Sequence, residues 1–229
     1  MDTLEKHLPS TERHPLDPFL PEGARILMLG SFPPKKERWS MDFFYPNFIN
    51  DMWRIVGHIF FGNKDYFLKF PANASGNGKT GTKPSGFDKD RITEFCTGKG
   101  IALYDTACEV RRLKDNASDK FLEVVTPSDI PHLLSLIPEC RAIVTTGQKA
   151  TDVIAETFGC RQPAVGGMTE FTVRIPGTMP AEAVRTIRFW RMPSSSRAYP
   201  MAMEKKAEYY RAMYRHEGLL EVPQVTTTK

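Results

Sequence analysis

Apolar residues in this chain fall into short unbroken runs, which alternate with stretches where they recur every three or four positions. Residues 24–29 form one such run between Gly23 and Gly30 and suit a central parallel strand buried on both faces. From Asn50 onward, Met52, Trp53, Ile55, Val56, Ile59 and Phe60 keep helical spacing, predicting a one-sided apolar helix that ends near Gly62. The same reading predicts a helix over 87–96, a strand over 100–105 and a helix over 126–137 opening at Thr126-Pro127. A strand over 141–147, a helix over 148–158 and a strand over 184–190 follow, and a last helix runs from near Pro200 to about Gly218. Phe171-Thr172-Val173-Arg174-Ile175 reads as an extra edge strand or a hairpin.

Strands alternating with helices imply a mainly parallel sheet covered on both faces. The expected architecture is α/β: three layers, α/β/α, around a central, mainly parallel four-stranded sheet. Residues 1–23 read as an irregular N-terminal arm, 24–218 as a single domain and 219–229 as a C-terminal tail. In sheets of this kind ligands bind beyond the carboxyl ends of the strands. Three segments of unusual polar chemistry follow strands directly, namely 30–34, Asp105 and 193–197.

Between the first two helices, residues 73–86 crowd Gly, Ser, Thr, Asn, Lys and Pro together and read as an exposed loop. Its Gly76-Asn77-Gly78-Lys79-Thr80 is not a phosphate loop. Asn73 stands where the first glycine is needed, no strand precedes it, and Pro84 comes too soon for the helix. The four cysteines, Cys96, Cys108, Cys140 and Cys160, form no CxxC pair, so a zinc ribbon or clustered iron–sulfur site is not expected. Reduced thiols in or near a core are. With 31 basic against 27 acidic residues, the net charge of +4 permits nucleic-acid binding without demanding it. Residues 1–17 do not read as a signal peptide and no apolar run reaches membrane-span length, so a soluble, cytoplasmic protein is expected.

Taken in order, the motifs resemble those of the uracil-DNA glycosylase superfamily, closest to its hypoxanthine-DNA glycosylase and mismatch-specific uracil glycosylase branches. They are Gly30-Ser31-Phe32-Pro33 after a strand, Asn50-Asp51-Met52-Trp53 at a helix start, Leu103-Tyr104-Asp105, and Met192-Pro193-Ser194-Ser195-Ser196. The likeness spans roughly residues 24–215. It implies a uracil-DNA glycosylase-like fold and a monofunctional enzyme of base-excision repair. Such an enzyme flips a deaminated base, uracil or hypoxanthine, out of DNA and hydrolyses its N-glycosidic bond, with no metal and no cofactor. Damaged DNA is the expected partner, the protein is expected to be a monomer, and no membrane is involved.

The resemblance also distributes roles. Gly30, Ser31, Phe32, Phe44, Tyr45 and Asp105 would hold the base, with Tyr45 or Phe44 as the stacking ring and Asp105 reading the base edge. The first motif carries Ser31 and Phe32 where many relatives carry the water-positioning acid or amide. That task falls to Asn50, with Asn47 as its rival and Asp42 and Asp51 as acidic alternatives. Pro193, Ser194, Ser195, Ser196, Arg197 and Lys35 would meet the DNA backbone, with Arg197 also able to wedge into the gap left by the flipped base. Lys36 and Arg38 extend the basic rim. The usual histidine of the last motif is missing. Two other readings stay open, a non-catalytic nucleic-acid-binding relative and a small-molecule enzyme on a Rossmann-like scaffold. The absence of GxGxxG speaks against the latter.

Overall fold

The computed structural model describes residues 9–71, 83–114, 121–177 and 183–221. Its centre is a five-stranded sheet containing β2 (Ile26–Gly30), β5 (Ile101–Asp105), β8 (Ala142–Thr146), β9 (Met168–Ile175) and β10 (Ala183–Met192) in the spatial order β5-β2-β8-β10-β9. The first two pair in parallel, as do β2 with β8 and β8 with β10. Every residue of β2, β5 and β8 is buried, which is why these strands read as unbroken apolar runs. The register sets Gly30 beside Asp105 and Leu29 beside Thr145.

Helices α1 (Met52–Phe61) and α2 (Lys89–Lys99) lie between β2 and β5, separated by a two-residue ribbon of β3 (Leu68–Lys69) and β4 (Gly86–Phe87). Beyond β5 come α3 (Ile130–Leu136) and, after β8, α4 (Gln148–Phe158); α5 (Met203–His216) closes the fold. The chain steps from β2 to β5 in one direction and returns across β2 to reach β8. Right-handed crossovers therefore put the helices before and after that reversal on opposite faces. Helix α1 packs on α5, and α3 packs on β9. The reversal leaves a crevice between the carboxyl ends of β2 and β8.

Several expectations need correction. The sheet has five strands, not four, because residues 168–175 form an antiparallel edge strand along β10. The helix predicted from Thr126 begins at Ile130, where the Asp129 side chain caps it by accepting from His132 N. Thr126 and Pro127 instead end β7 (Leu122–Pro127), which pairs with β6 (Ala107–Arg112). The arm is not irregular throughout, since β1 (Thr11–Arg13) adds to β6 in a three-stranded antiparallel sheet. At the other end Leu219 of the expected tail is buried. Most of the loop over 73–86, with Gly76-Asn77-Gly78-Lys79-Thr80, lies outside the described residues. The four cysteines are unpaired. Among the described residues no helix is long and apolar enough to cross a membrane.

One buried acid ties the last helix to the sheet. Arg188 Nη2 and Trp190 Nε1 of β10 donate to the Glu217 carboxylate at 2.7 and 2.8 Å. Arg25, before β2, donates to the Glu217 carbonyl at 2.8 Å. Burial alone would push the Glu217 carboxyl up, but these donors outweigh it and hold the group below its ordinary value. A carboxyl held low adds stability that is complete above the ordinary value of 4.5 and is lost as pH falls through the lowered one. Glu217→Gln is therefore expected to cost about 2 kcal/mol at pH 7. Denaturant unfolding of both proteins from pH 7 to pH 3 should show that gap narrowing in acid.

Candidate functional site

A cleft of about 700 Å³ opens at the β2/β8 reversal. Its floor is the end of β2, where Gly30 lies against Asp105 at the end of β5. An added β-carbon on Gly30 would stand 2.3 Å from Asp105 Oδ1 and 3.8 Å from the Tyr45 ring, so only glycine lets the carboxylate lie across the strand end. Its other oxygen, Oδ2, lies 2.9 Å from His14 Nε2. The Asp105 carbonyl accepts from Ser128 Oγ at 2.7 Å.

One wall is the loop before α1, whose carbonyls are satisfied by side chains of that helix. Trp53 Nε1 donates to the Phe44 carbonyl at 3.0 Å. The buried Arg54 donates to the carbonyls of Phe48 and Asn50 at 2.9 and 3.3 Å. Among the described residues Tyr45 is the one non-glycine with a left-handed backbone, at φ 52°, a conformation that is costly for a bulky side chain. Its ring meets Trp53 edge-on at 6.1 Å. Thr146 Oγ1 donates to the Leu29 carbonyl at 3.4 Å, so the Tyr45 hydroxyl is the donor in their 3.0 Å contact. Burial, reinforced by the Asp105 charge, pushes the Tyr45 phenol up, which keeps it a neutral donor.

The opposite wall is the turn after β10. Ser194 Oγ accepts from Ser196 N and Ser196 Oγ accepts from Ala198 N, giving two successive serine turns. Asn50 bridges Ser196 as an isolated antiparallel pair, and Asp51 N donates to the Ser195 carbonyl at 2.9 Å. Beneath them lies Lys206, only 1% exposed, whose ammonium donates to the Ser196 carbonyl at 2.7 Å. Burial pulls that ammonium below the ordinary lysine value, with the Asp51 charge opposing. Arg197 Nε donates to Asp51 Oδ1 at 2.8 Å. The two walls are thus one hydrogen-bonded unit.

Of the residues expected to act, Asn47, Asn50, Gly30, Ser31, Phe32, Phe44, Tyr45, Asp105, Ser194, Ser195, Ser196 and Arg197 all line this cleft. Pro193 and Lys35 do not. Pro193 is buried behind the turn, its carbonyl accepting from Tyr210 Oη at 2.9 Å, and Lys35 is exposed outside the cleft. Arg38 lines it, whereas Lys36 does not. Phe43 packs in the core against Phe19, Phe44 and Trp53, and Phe44 is itself 97% shielded. Tyr45 is the less buried of the two preferred rings. Asn47 Oδ1 accepts from Ile49 N at 3.1 Å and Asn50 Oδ1 from Met52 N at 2.9 Å, so each amide turns its own loop. Asp42 is exposed away from the cleft, and Asp51 is engaged by Arg197.

Two residues escaped sequence reasoning, His14 and Arg112. Arg112, on β6, donates from Nε to both Glu12 oxygens at 3.0 Å and from Nη2 to the Pro33 carbonyl at 2.7 Å, covering the Phe32 ring at 5.6 Å. It lines the cleft, so this small sheet is part of the site. A register shift in β6 removes the alternation that would have announced that strand.

No known protein-family description matches the chain, and no curated protein matches it. A solved structure does: the solution NMR structure of a proposed uracil DNA glycosylase from Methanosarcina acetivorans, with 19% identity and a TM-score of 0.54. The match covers 91% of this chain and 99% of that one. The chain has a uracil-DNA glycosylase-like fold. At this identity the likeness speaks for the fold alone, and the cleft's chemistry must be argued from its own residues.

Gly30→Ala is expected to push the Asp105 carboxylate out of place and cost about 1–3 kcal/mol through overpacking. Ser31→Ala beside it is expected to stay within about 0.5 kcal/mol. Urea denaturation of the two variants checks both.

Proposed function

We propose that this protein is a DNA glycosylase that flips a deaminated base into the cleft and hydrolyses its N-glycosidic bond. The observation that carries the reading is the convergence of the base-reading, amide and serine motifs on one cleft at the topological reversal of the sheet. Its volume suits a single nucleotide. Arg38, Arg112 and Arg197 line it; Arg112 is already paired with Glu12 and Arg197 with Asp51, so Arg38 is the group that would meet a phosphate.

In this reading the base enters beside Tyr45, whose ring stacks on it. The Asp105 carboxylate faces its edge as an acceptor. Adenine and cytosine offer a bare ring nitrogen at the edge where hypoxanthine and uracil offer an N–H. A carboxylate oxygen meets that N–H as acceptor to donor and the bare nitrogen as lone pair to lone pair. With Asp105 opposite that ring position, deamination turns repulsion into a hydrogen bond, whereas opposite the neighbouring exocyclic position the parent's amino group would be the donor. As the bond breaks, positive charge grows on the sugar and negative charge on the base. Asn50, with Asn47 as the alternative, positions the attacking water, since neither amide can take its proton. The serine turn donates hydroxyls to the strand's phosphates.

In this reading Ile49 is favoured over Arg197 as the wedge. Arg197 is held by Asp51, whereas Ile49, 56% exposed, stands at the cleft's edge beside the two amides. An aliphatic side chain so placed fills the gap that a flipped base leaves in the stack.

A second reading has one observation in its favour. Both candidate amides are committed through Oδ1 to their own loops, as they would be in a relative that binds DNA without cutting it.

Oligonucleotides carrying uracil, hypoxanthine or xanthine are expected to lose that base to the protein. Asn50→Ala is expected to slow release by about 10²–10³-fold with binding retained; if Asn47→Ala does so instead, the roles exchange. Binding without release from every lesion selects the non-catalytic reading. Ile49→Ala is expected to slow release from duplex about tenfold and from single strand much less, which single-turnover kinetics on both substrates would measure.

A further inference from the structure

The N-terminal arm enters the site through one side chain. Arm residues Thr11, Glu12 and Arg13 pair with β6, and His14 N donates to the Cys108 carbonyl at 2.8 Å. The His14 side chain is 2% exposed. Its ring meets Phe32 edge-on at 5.2 Å and leans on Tyr104 at 4.7 Å and Phe44 at 6.2 Å. Nδ1 lies 2.8 Å from the Leu16 carbonyl and 3.2 Å from Leu16 N, so the arm's own backbone fixes the ring's orientation. Nε2 is thereby aimed at Asp105 Oδ2, 2.9 Å away.

We infer that His14 is a positioning residue for base recognition, and this rests on the glycosylase reading above. His14 donates Nε2–H to Asp105 Oδ2, which leaves Oδ1 as the oxygen that meets the base. No described residue donates to Oδ1, which lies over the bare Gly30. Two contacts hold this acid, the donor on Oδ2 and Ser128 Oγ on its carbonyl, and the bare Gly30 leaves it the room it occupies. A carboxylate without the imidazole could rotate and carry Oδ1 away from the base edge. It would then tolerate the bare nitrogen of adenine or cytosine. His14 therefore serves discrimination between a deaminated base and its parent, acting through Asp105 without touching the base.

The test uses the full chain and non-cleavable 2′-fluoro oligonucleotides carrying hypoxanthine or adenine, and uracil or cytosine, at one position. Their cleavable counterparts are run alongside. Wild type is compared with His14→Leu, His14→Gln, Asp105→Asn and the double variant His14→Leu/Asp105→Asn, with thermal unfolding showing that each folds. Wild type is expected to bind the deaminated base in preference to its parent. His14→Leu should erode that preference about 10- to 100-fold. His14→Gln, which keeps an N–H at similar reach, should restore most of it. In the Asp105→Asn background, His14→Leu should change nothing further. Three results would overturn the inference: a preference untouched in His14→Leu, no rescue by Gln, or additive effects in the double variant. A wild type with no base preference overturns it as well. If wild type shows the preference but releases no base, catalysis fails and His14 is judged on binding alone. If release survives while His14→Leu keeps its preference, the inference fails and the glycosylase reading stands.

Discussion

The Asp105 carboxylate lies where a β-carbon on residue 30 would have to be. That exclusion follows from the parallel register of β2 and β5, which sets the two residues side by side at the sheet's end. It makes glycine obligatory in the first polar segment and orients the acid in the second. Tyr45, whose ring would also contact a β-carbon at position 30, takes its place against the same two residues in a backbone conformation that few side chains adopt. The floor of the cleft is therefore a packing solution first, with its polar chemistry following from which atoms the packing leaves uncovered.

Above that floor the two walls are held together by buried charge. Asp51 receives Arg197 at 2.8 Å and has the Lys206 ammonium 3.9 Å away, while that ammonium spends a hydrogen bond on the Ser196 carbonyl. Burying an ammonium is costly, and an apolar residue at 206 would pack as well without that cost. What it adds is register. It fixes a serine turn whose amides are already engaged by its own hydroxyls to a loop whose carbonyls are engaged by Trp53 and Arg54. A site spread over two loops is thus given the rigidity of one element, as positioning a water to within a fraction of an ångström requires.

The parallel strands were legible because burial on both faces leaves a continuous apolar signature, and α4 because its period and length are ordinary. The small sheet was illegible for the opposite reason. β6 reads Ala-Cys-Glu-Val-Arg-Arg and β7 Leu-Glu-Val-Val-Thr-Pro, each with few buried positions and one broken by a register shift. Proline at 127 looked like a helix start yet closes a strand, because Asp129 two residues later is the better cap. The cleft was legible through residues that follow strands. His14 and Arg112 were not, since neither lies in a motif and both reach the site through long-range pairing of the arm with β6.

The distribution of acids bears on mechanism. Among the described residues lining the cleft, Asp105 is the one carboxylate, and it is held between His14 and Gly30 at the position assigned to the base edge. Asp51, the nearest alternative, is matched to Arg197 at 2.8 Å, and withdrawing it to take a proton would unfasten both walls. An acid so committed cannot also serve as a base. In the glycosylase reading, catalysis then rests on placing a neutral water with an amide, with no strong proton acceptor needed until positive charge has grown on the sugar. Such a mechanism gains most where the leaving group is already good. A deaminated base fits that demand, because the lactam edge that Asp105 would recognise also lets the departing ring delocalise its negative charge onto the adjacent carbonyl.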